Sequence, residues 1–128
     1  MNTIDTPHRG DIFWADLPDH DSAGSEQKGR RPVVVISVDV VNSTLPICVV
    51  VPLTGKLDKP NPLHRIRVHE SSKIQESGTG GCKGDSLALT EQIRCISRSR
   101  LDAKRVARLT PVAIAAIEAG VKYVLGIP

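Results

Sequence analysis

Gly24-Ser25-Glu26-Gln27-Lys28-Gly29-Arg30-Arg31-Pro32-Val33-Val34-Val35-Ile36 joins a polar, glycine-bounded turn to an unbroken β-branched run. A half-exposed strand alternates apolar with polar residues, whereas a continuous Val/Ile run reads as a strand covered on both faces. Residues 32–38 are therefore predicted to form a buried strand. Burial fixes the position of whatever precedes it, so Arg31 becomes a cation on a rigid mount. Gly24 and Gly29 open backbone conformations closed to other residues, and Pro32 fixes one dihedral beside Arg31.

Working outward, residues 11–17 read as a strand before the turn and residues 47–53 as a strand after it, with a turn at 42–46 between. Residues 65–69 alternate charged and aliphatic side chains, as an edge strand does. The glycine-rich stretch 77–84 lacks the Gly-Lys-Ser/Thr ending of a phosphate-binding loop and reads as a flexible connector. Residues 86–96 are predicted to form one long strand, with a bulge where the parity changes after Leu89. The period then becomes helical. Thr110 suits an N-cap, Pro111 the first helical position, and Ile114, Ile117, Val121 and Val124 or Leu125 form an apolar stripe. Gly120 weakens that helix by about 1 kcal/mol relative to alanine. The expected fold class is mainly β with a C-terminal α-helix: a small, strongly curved antiparallel barrel with the helix laid against it, in one domain over residues 1–128.

With 128 residues and 40% hydrophobic content the chain supports one modest core and excludes wholesale disorder. Its net charge is only +3, but residues 94–108 carry Arg94, Arg98, Arg100, Lys104, Arg105 and Arg108 against Asp102. The remainder is net acidic, and this polarity suits a polyanionic partner. Three cysteines, with Cys48 inside an apolar run, point to reduced thiols and a cytoplasmic setting. The polar first nine residues contain no secretory h-region, and no run reaches the length of a membrane span. Phe13, Trp14 and Tyr123 are the only aromatic residues, so extensive base stacking is excluded. Phe13 and Trp14 point to opposite faces of their strand; Phe13 is expected in the core and Trp14 in a groove or dimer contact.

The residues lack the signatures of several hydrolytic chemistries. His8, His20, His64 and His69 are scattered without metal-ligand spacing, and no Gly-x-Ser-x-Gly elbow follows Gly24. What remains is Ser25, Glu26, Gln27 and Arg31 around the turn, and Thr54 at the end of an apolar strand. These suit a substrate that brings its own nucleophile, as RNA does with its 2′-hydroxyl. An arginine fork stabilises charge on a phosphorane-like transition state and cannot lose its proton. Thr54 is too weak an acid to serve as a base; it hydrogen-bonds a phosphate oxygen or orients the 2′-hydroxyl, leaving Glu26 as the candidate proton acceptor. The plainer readings are that Thr54 opens a Thr-Gly turn and Glu26 balances Lys28 or Arg30.

Arg9-Gly10-Asp11-Ile12-Phe13-Trp14-Ala15-Asp16-Leu17, Gly24-Ser25-Glu26-Gln27 with Arg31-Pro32, Val51-Pro52-Leu53-Thr54, Asp85-Ser86, Glu91-Gln92-Ile93-Arg94 and Arg100-Leu101 occur in order. The set resembles the MazF/PemK-like toxin endoribonucleases. The resemblance implies an SH3-like barrel of the MazF/CcdB type, a homodimer, and metal-independent, sequence-specific cleavage of single-stranded RNA (an mRNA interferase) with no cofactor. It also implies inhibition by a cognate antitoxin protein of a bacterial toxin–antitoxin system. Carried over by position, Arg31 and Thr54 are catalytic and Glu26 matches a residue proposed as base. Ser25, Gln27, Lys28, Arg30, Gln92 and Arg94 are the implied RNA-binding residues, with Arg30 standing where some relatives have histidine. The alternative is a non-catalytic toxin of the CcdB kind, which binds and inhibits DNA gyrase; such a protein does not need Arg31 and Thr54 together.

Overall fold

The computed structural model describes residues 4–18, 27 and 29–128. Strands β1 (Asp11–Leu17), β2 (Gly29–Val35) and β3 (Ile47–Thr54) form an antiparallel meander, with Phe13 opposite Val33 and Val34 opposite Val51. The far edge of β3 is shared. Strand β7 (Arg94–Ser97) pairs with residues 47–50 and β6 (Ser86–Leu89) with residues 53 and 54. Beyond them lie β4 (Arg65–Val68) on β6, β8 (Ala107–Leu109) on β1 and β5 (Lys73–Gln75) on β8. The sheet order is thus β4-β6-β3-β2-β1-β8-β5. Its two end strands, β4 and β5, follow each other in the chain through the 3₁₀ turn Glu70–Ser72, so the curled sheet comes nearly closed.

Alternation along the central strands sends side chains to two apolar clusters. Ile12, Val34, Val51 and Leu53 meet Ala113 and Ile117 of the C-terminal helix α2 (Pro111–Leu125), while Phe13, Val33, Val35, Cys48, Val50 and Ile96 pack on the other face. Both faces of β2 are covered, which explains its unbroken apolar run. Phe13 is fully buried and Trp14 half-buried, as their parity requires. Helix α2 begins as its sequence dictates. The Thr110 side chain accepts from the Ala113 N–H, Pro111 opens the first turn, and Gly126 terminates the helix at φ 70°. Gly120 has a packing reason: a Cβ there would lie 3.0 Å from Thr90 Cγ2 and 3.1 Å from Ile66 Cγ1.

Several expectations are corrected. Strand β2 runs 29–35 rather than 32–38, so Arg30 and Arg31 lie within the ladder, and Pro32 falls where β2 has left the edge of β3. The turn expected at 42–46 is largely a short helix, α1 (Asp39–Thr44). It lacks a side-chain cap and is held by tertiary bonds: buried Asn42 donates to the Ser37 carbonyl at 2.9 Å, and Arg98 donates to the Asn42 carbonyl at 2.8 Å. The long strand expected over 86–96 is β6 and β7 separated by the 3₁₀ turn Thr90–Gln92; the parity change after Leu89 marks this break. The basic run 94–108 is not an open cationic face. Arg105 bonds Glu76 at 2.8 Å and lies 3.6 Å from buried Asp11, Lys104 lies 3.7 Å from Asp5, and Arg98 is spent on α1.

Candidate active-site cleft

The register of the meander brings one end of β2 beside the end of β3. Arg31 lies opposite Ala15, and Thr54 is the last residue of β3. Both line a cleft of about 240 Å³ with a partly apolar floor of Trp14, Pro32 and Leu53. Arg31 is exposed and Thr54 half-buried. The Thr54 hydroxyl oxygen accepts the Lys56 N–H at 3.2 Å, so the residue does open a turn, and accepting there leaves its own hydrogen available to donate.

Arg30 also borders the cleft, but its guanidinium is engaged. It donates to both carboxylate oxygens of Asp102, one bond measuring 2.8 Å, and lies 5.7 Å over the Trp14 ring. The bonds from Arg30 hold the Asp102 carboxyl below its ordinary range and raise Arg30 in return. Arg30 is thus held by Asp102 beside the indole, and Arg31 lines the same cleft.

The opposite wall is the second half of the glycine-rich segment, with Gly81, Cys82 and Lys83, followed by Asp85 and Ser86. This wall is pinned rather than flexible. The Gln75 amide donates to the Cys82 carbonyl at 2.9 Å and accepts the Cys82 N–H at 2.7 Å, as a neighbouring strand would. Gly81, at φ +70°, makes that approach possible, since a Cβ would meet Gln75 Oε1 at 2.2 Å. Below it, buried Lys73 donates to the Gly84 carbonyl at 2.7 Å and to Ser86 Oγ at 2.8 Å. Asp85 accepts from Arg67 and from the Glu70 N–H, both at 2.8 Å; the bond from Arg67 leads the effects that bring its carboxyl down to about 2. It is a brace and not a proton acceptor near neutral pH. Sequence reasoning missed Lys73 and Gln75, which carry no motif and act only through the wall they support.

Gln27, Gln92 and Arg94 are also brought together. The Gln27 N–H donates to Gln92 Oε1 at 2.6 Å, and Arg94 donates to the Gln27 carbonyl at 3.0 Å. Ser25, Glu26 and Lys28 lie outside the described residues. Among the described residues, no group of three or more His, Cys, Asp and Glu side chains is placed to hold a metal ion, and no helix is long and apolar enough to cross a membrane. Chemically, the cleft offers an arginine fork for a phosphate, a hydroxyl that can donate, and apolar surface to seat a sugar or base.

Residues 8–125 match the family described as PemK-like, MazF-like toxin of type II toxin–antitoxin systems. The chain is 35% identical over 96 residues to the endoribonuclease MazF of Staphylococcus saprophyticus, covering 75% of this chain and 72% of that protein. Among solved structures it resembles MazF of Deinococcus radiodurans, with a TM-score of 0.70 at 24% identity over 95% of this chain and 98% of that one. A MazF toxin of Mycobacterium tuberculosis gives 0.69 at 16% identity over 92% and 98% of the two chains. A MazE–MazF complex of Deinococcus radiodurans gives 0.66 at 22% identity over 97% and 99%. At these identities the structural likenesses show a shared fold.

Proposed function

This chain belongs to the PemK-like, MazF-like toxin family of type II toxin–antitoxin systems and is an endoribonuclease; we propose that it cleaves single-stranded RNA by internal transesterification in the Arg31–Thr54 cleft. The observation that carries this reading is the meeting of Arg31 and Thr54, far apart in sequence, on one cleft of mixed polar and apolar lining. The 2′-oxygen of the nucleotide before the cut attacks the neighbouring phosphorus, its proton passing to Glu26. The bond from phosphorus to the 5′-oxygen breaks, and that oxygen takes up a proton from solvent. Arg31 bonds the two non-bridging oxygens as charge builds on them, and Thr54 donates to a phosphate oxygen or aligns the 2′-hydroxyl. Glu26 is assigned the base because Asp85, the carboxylate among the described lining residues, is committed to Arg67. Ser25, Gln27 and Lys28 are assigned to RNA binding, and Lys83, which lines the same cleft as Arg31 and Thr54, supplies a further cation.

On this reading residues 1–128 act as a single toxin domain, as a homodimer in the cytoplasm, restrained by a cognate antitoxin protein that competes for the RNA groove. The MazE–MazF complex among the structural neighbours supports an antitoxin partner. The gyrase-binding alternative is not favoured, since the family match and the curated relative both lead to RNA cleavage. Incubation with a long single-stranded RNA in excess EDTA, followed by mapping of the ends, tests the reaction. Cuts at a short recurring sequence with a 2′,3′-cyclic phosphate upstream and a 5′-hydroxyl downstream are expected. A magnesium requirement or 5′-phosphate ends would overturn the mechanism.

A further inference from the structure

At Gln27 both backbone polar groups are held by side chains rather than by a strand. The N–H donates to Gln92 Oε1 at 2.6 Å and the carbonyl accepts from Arg94 at 3.0 Å, partners 65 and 67 residues away in the chain. Because a backbone N–H can only donate, the oxygen of the Gln92 amide must face it. The two clamping residues stand on a firm seat. Thr90, which opens the turn ending at Gln92, is fully buried; its N–H and hydroxyl both donate to the His64 carbonyl, at 3.1 and 2.6 Å, and Gly120 of α2 packs against its side chain. The Arg94 backbone is paired with fully buried Val50 of β3. The held group lies at a sensitive place: the Gln27 N–H belongs to the rigid peptide unit joining it to Glu26, and β2 with Arg31 begins two residues on.

We propose that Gln92 and Arg94 are positioning residues, which clamp the Gln27 peptide beside the start of β2, the strand that bears Arg31. They take the place of the RNA contacts that family resemblance implies for them. The proposal rests on the transesterification reading above. It makes a chemical distinction: the clamp needs an acceptor at position 92, whereas a contact to phosphate would need a donor there.

The test measures single-turnover cleavage at saturating RNA. Binding to an uncleavable 2′-deoxy analogue is measured beside it over a range of salt. Gln92→Leu and Arg94→Met should each slow cleavage about tenfold, the factor that corresponds to one lost hydrogen bond of ordinary strength. Affinity for the analogue should stay within about twofold and the salt slope unchanged, because no phosphate contact is lost. Gln92→Glu, which keeps an acceptor and removes the donor, should recover most of the rate lost in Gln92→Leu. Should Gln92→Leu fail to fold, Gln92→Glu and Arg94→Met decide the matter by the same readings. The clamp is overturned if Gln92→Glu weakens RNA binding tenfold, if Arg94→Met flattens the salt slope by about 0.7, the value for one single-strand phosphate contact, or if the folded variants cut at the wild-type rate. A wild-type chain that cuts no RNA would instead remove the functional reading itself.

Discussion

On the proposed mechanism, replacing Arg31 by alanine should separate catalysis from folding, because Arg31 is an exposed residue lining the cleft at one end of β2. The residue is exposed and pairs with Ala15 through the β1–β2 ladder, which alanine preserves. The buried anchor of β2, Val33 to Val35, is untouched. Losing an exposed arginine together with its surface interactions costs about 1 kcal/mol or less, a shift of about 4 °C in melting temperature. A guanidinium donating to the transition-state oxygens is worth about 3 to 4 kcal/mol, or two to three orders of magnitude in rate. Arg31→Lys keeps the charge without the planar fork and should fall between alanine and the native residue. The assay is single-turnover cleavage of a short fluorescent RNA containing a mapped cut site, run beside a circular-dichroism melt. A folded Arg31→Ala protein that cuts within threefold of wild type would refute the assignment.

Gly120→Ala gains about 1 kcal/mol of helix propensity but forces a Cβ to 3.0 Å from Thr90, and overpacking of this kind costs about 1 to 3 kcal/mol. The melting temperature should therefore fall by a few degrees, and a rise would show that the helix yields without loss. Asp102→Asn releases the charge that Arg30 spends beside Trp14; RNA affinity at low salt should rise, and the log–log salt slope should steepen by about 0.7, whereas unchanged binding would mean that Arg30 stays on the indole. Asp85 is held down to about 2, led by the bond from Arg67. A depressed carboxyl lends stability above its unfolded value, lost as pH falls through the folded one, so stability should drop between about pH 4 and pH 2, and Asp85→Asn should flatten that drop in acid-unfolding curves.

The parts of the fold legible in the sequence are those fixed locally. Asp11 to Leu17 is largely apolar between polar flanks, Val33 to Val35 is unbroken, and the Thr110-Pro111 cap with its stripe marks α2. What escaped is held by distant partners. Helix α1 exists through Asn42 and Arg98, β5 and β8 are three-residue strands without a readable period, and the break in the 86–96 strand depends on Thr90 bonding back to His64. In the cleft, Arg31 and Thr54 were legible because strand ends carry them. Lys73 and Gln75 were not, since they act on the backbone of another loop. The sequence marked Gln92 and Arg94 as site residues, and only the structure shows them grasping the Gln27 peptide.

The central claim is that RNA supplies the nucleophile while the cleft of Arg31 and Thr54 stabilises the transferring phosphate. Its most direct test replaces one nucleotide, that on the 5′ side of the mapped cut, by its 2′-deoxy form in an otherwise unchanged RNA. Binding should persist, since the phosphates and bases remain, and cleavage at that site should cease while all other sites are cut at their usual rates. Continued cleavage at the deoxy position would mean that another nucleophile attacks, and the roles assigned to Arg31, Thr54 and Glu26 would fall with it.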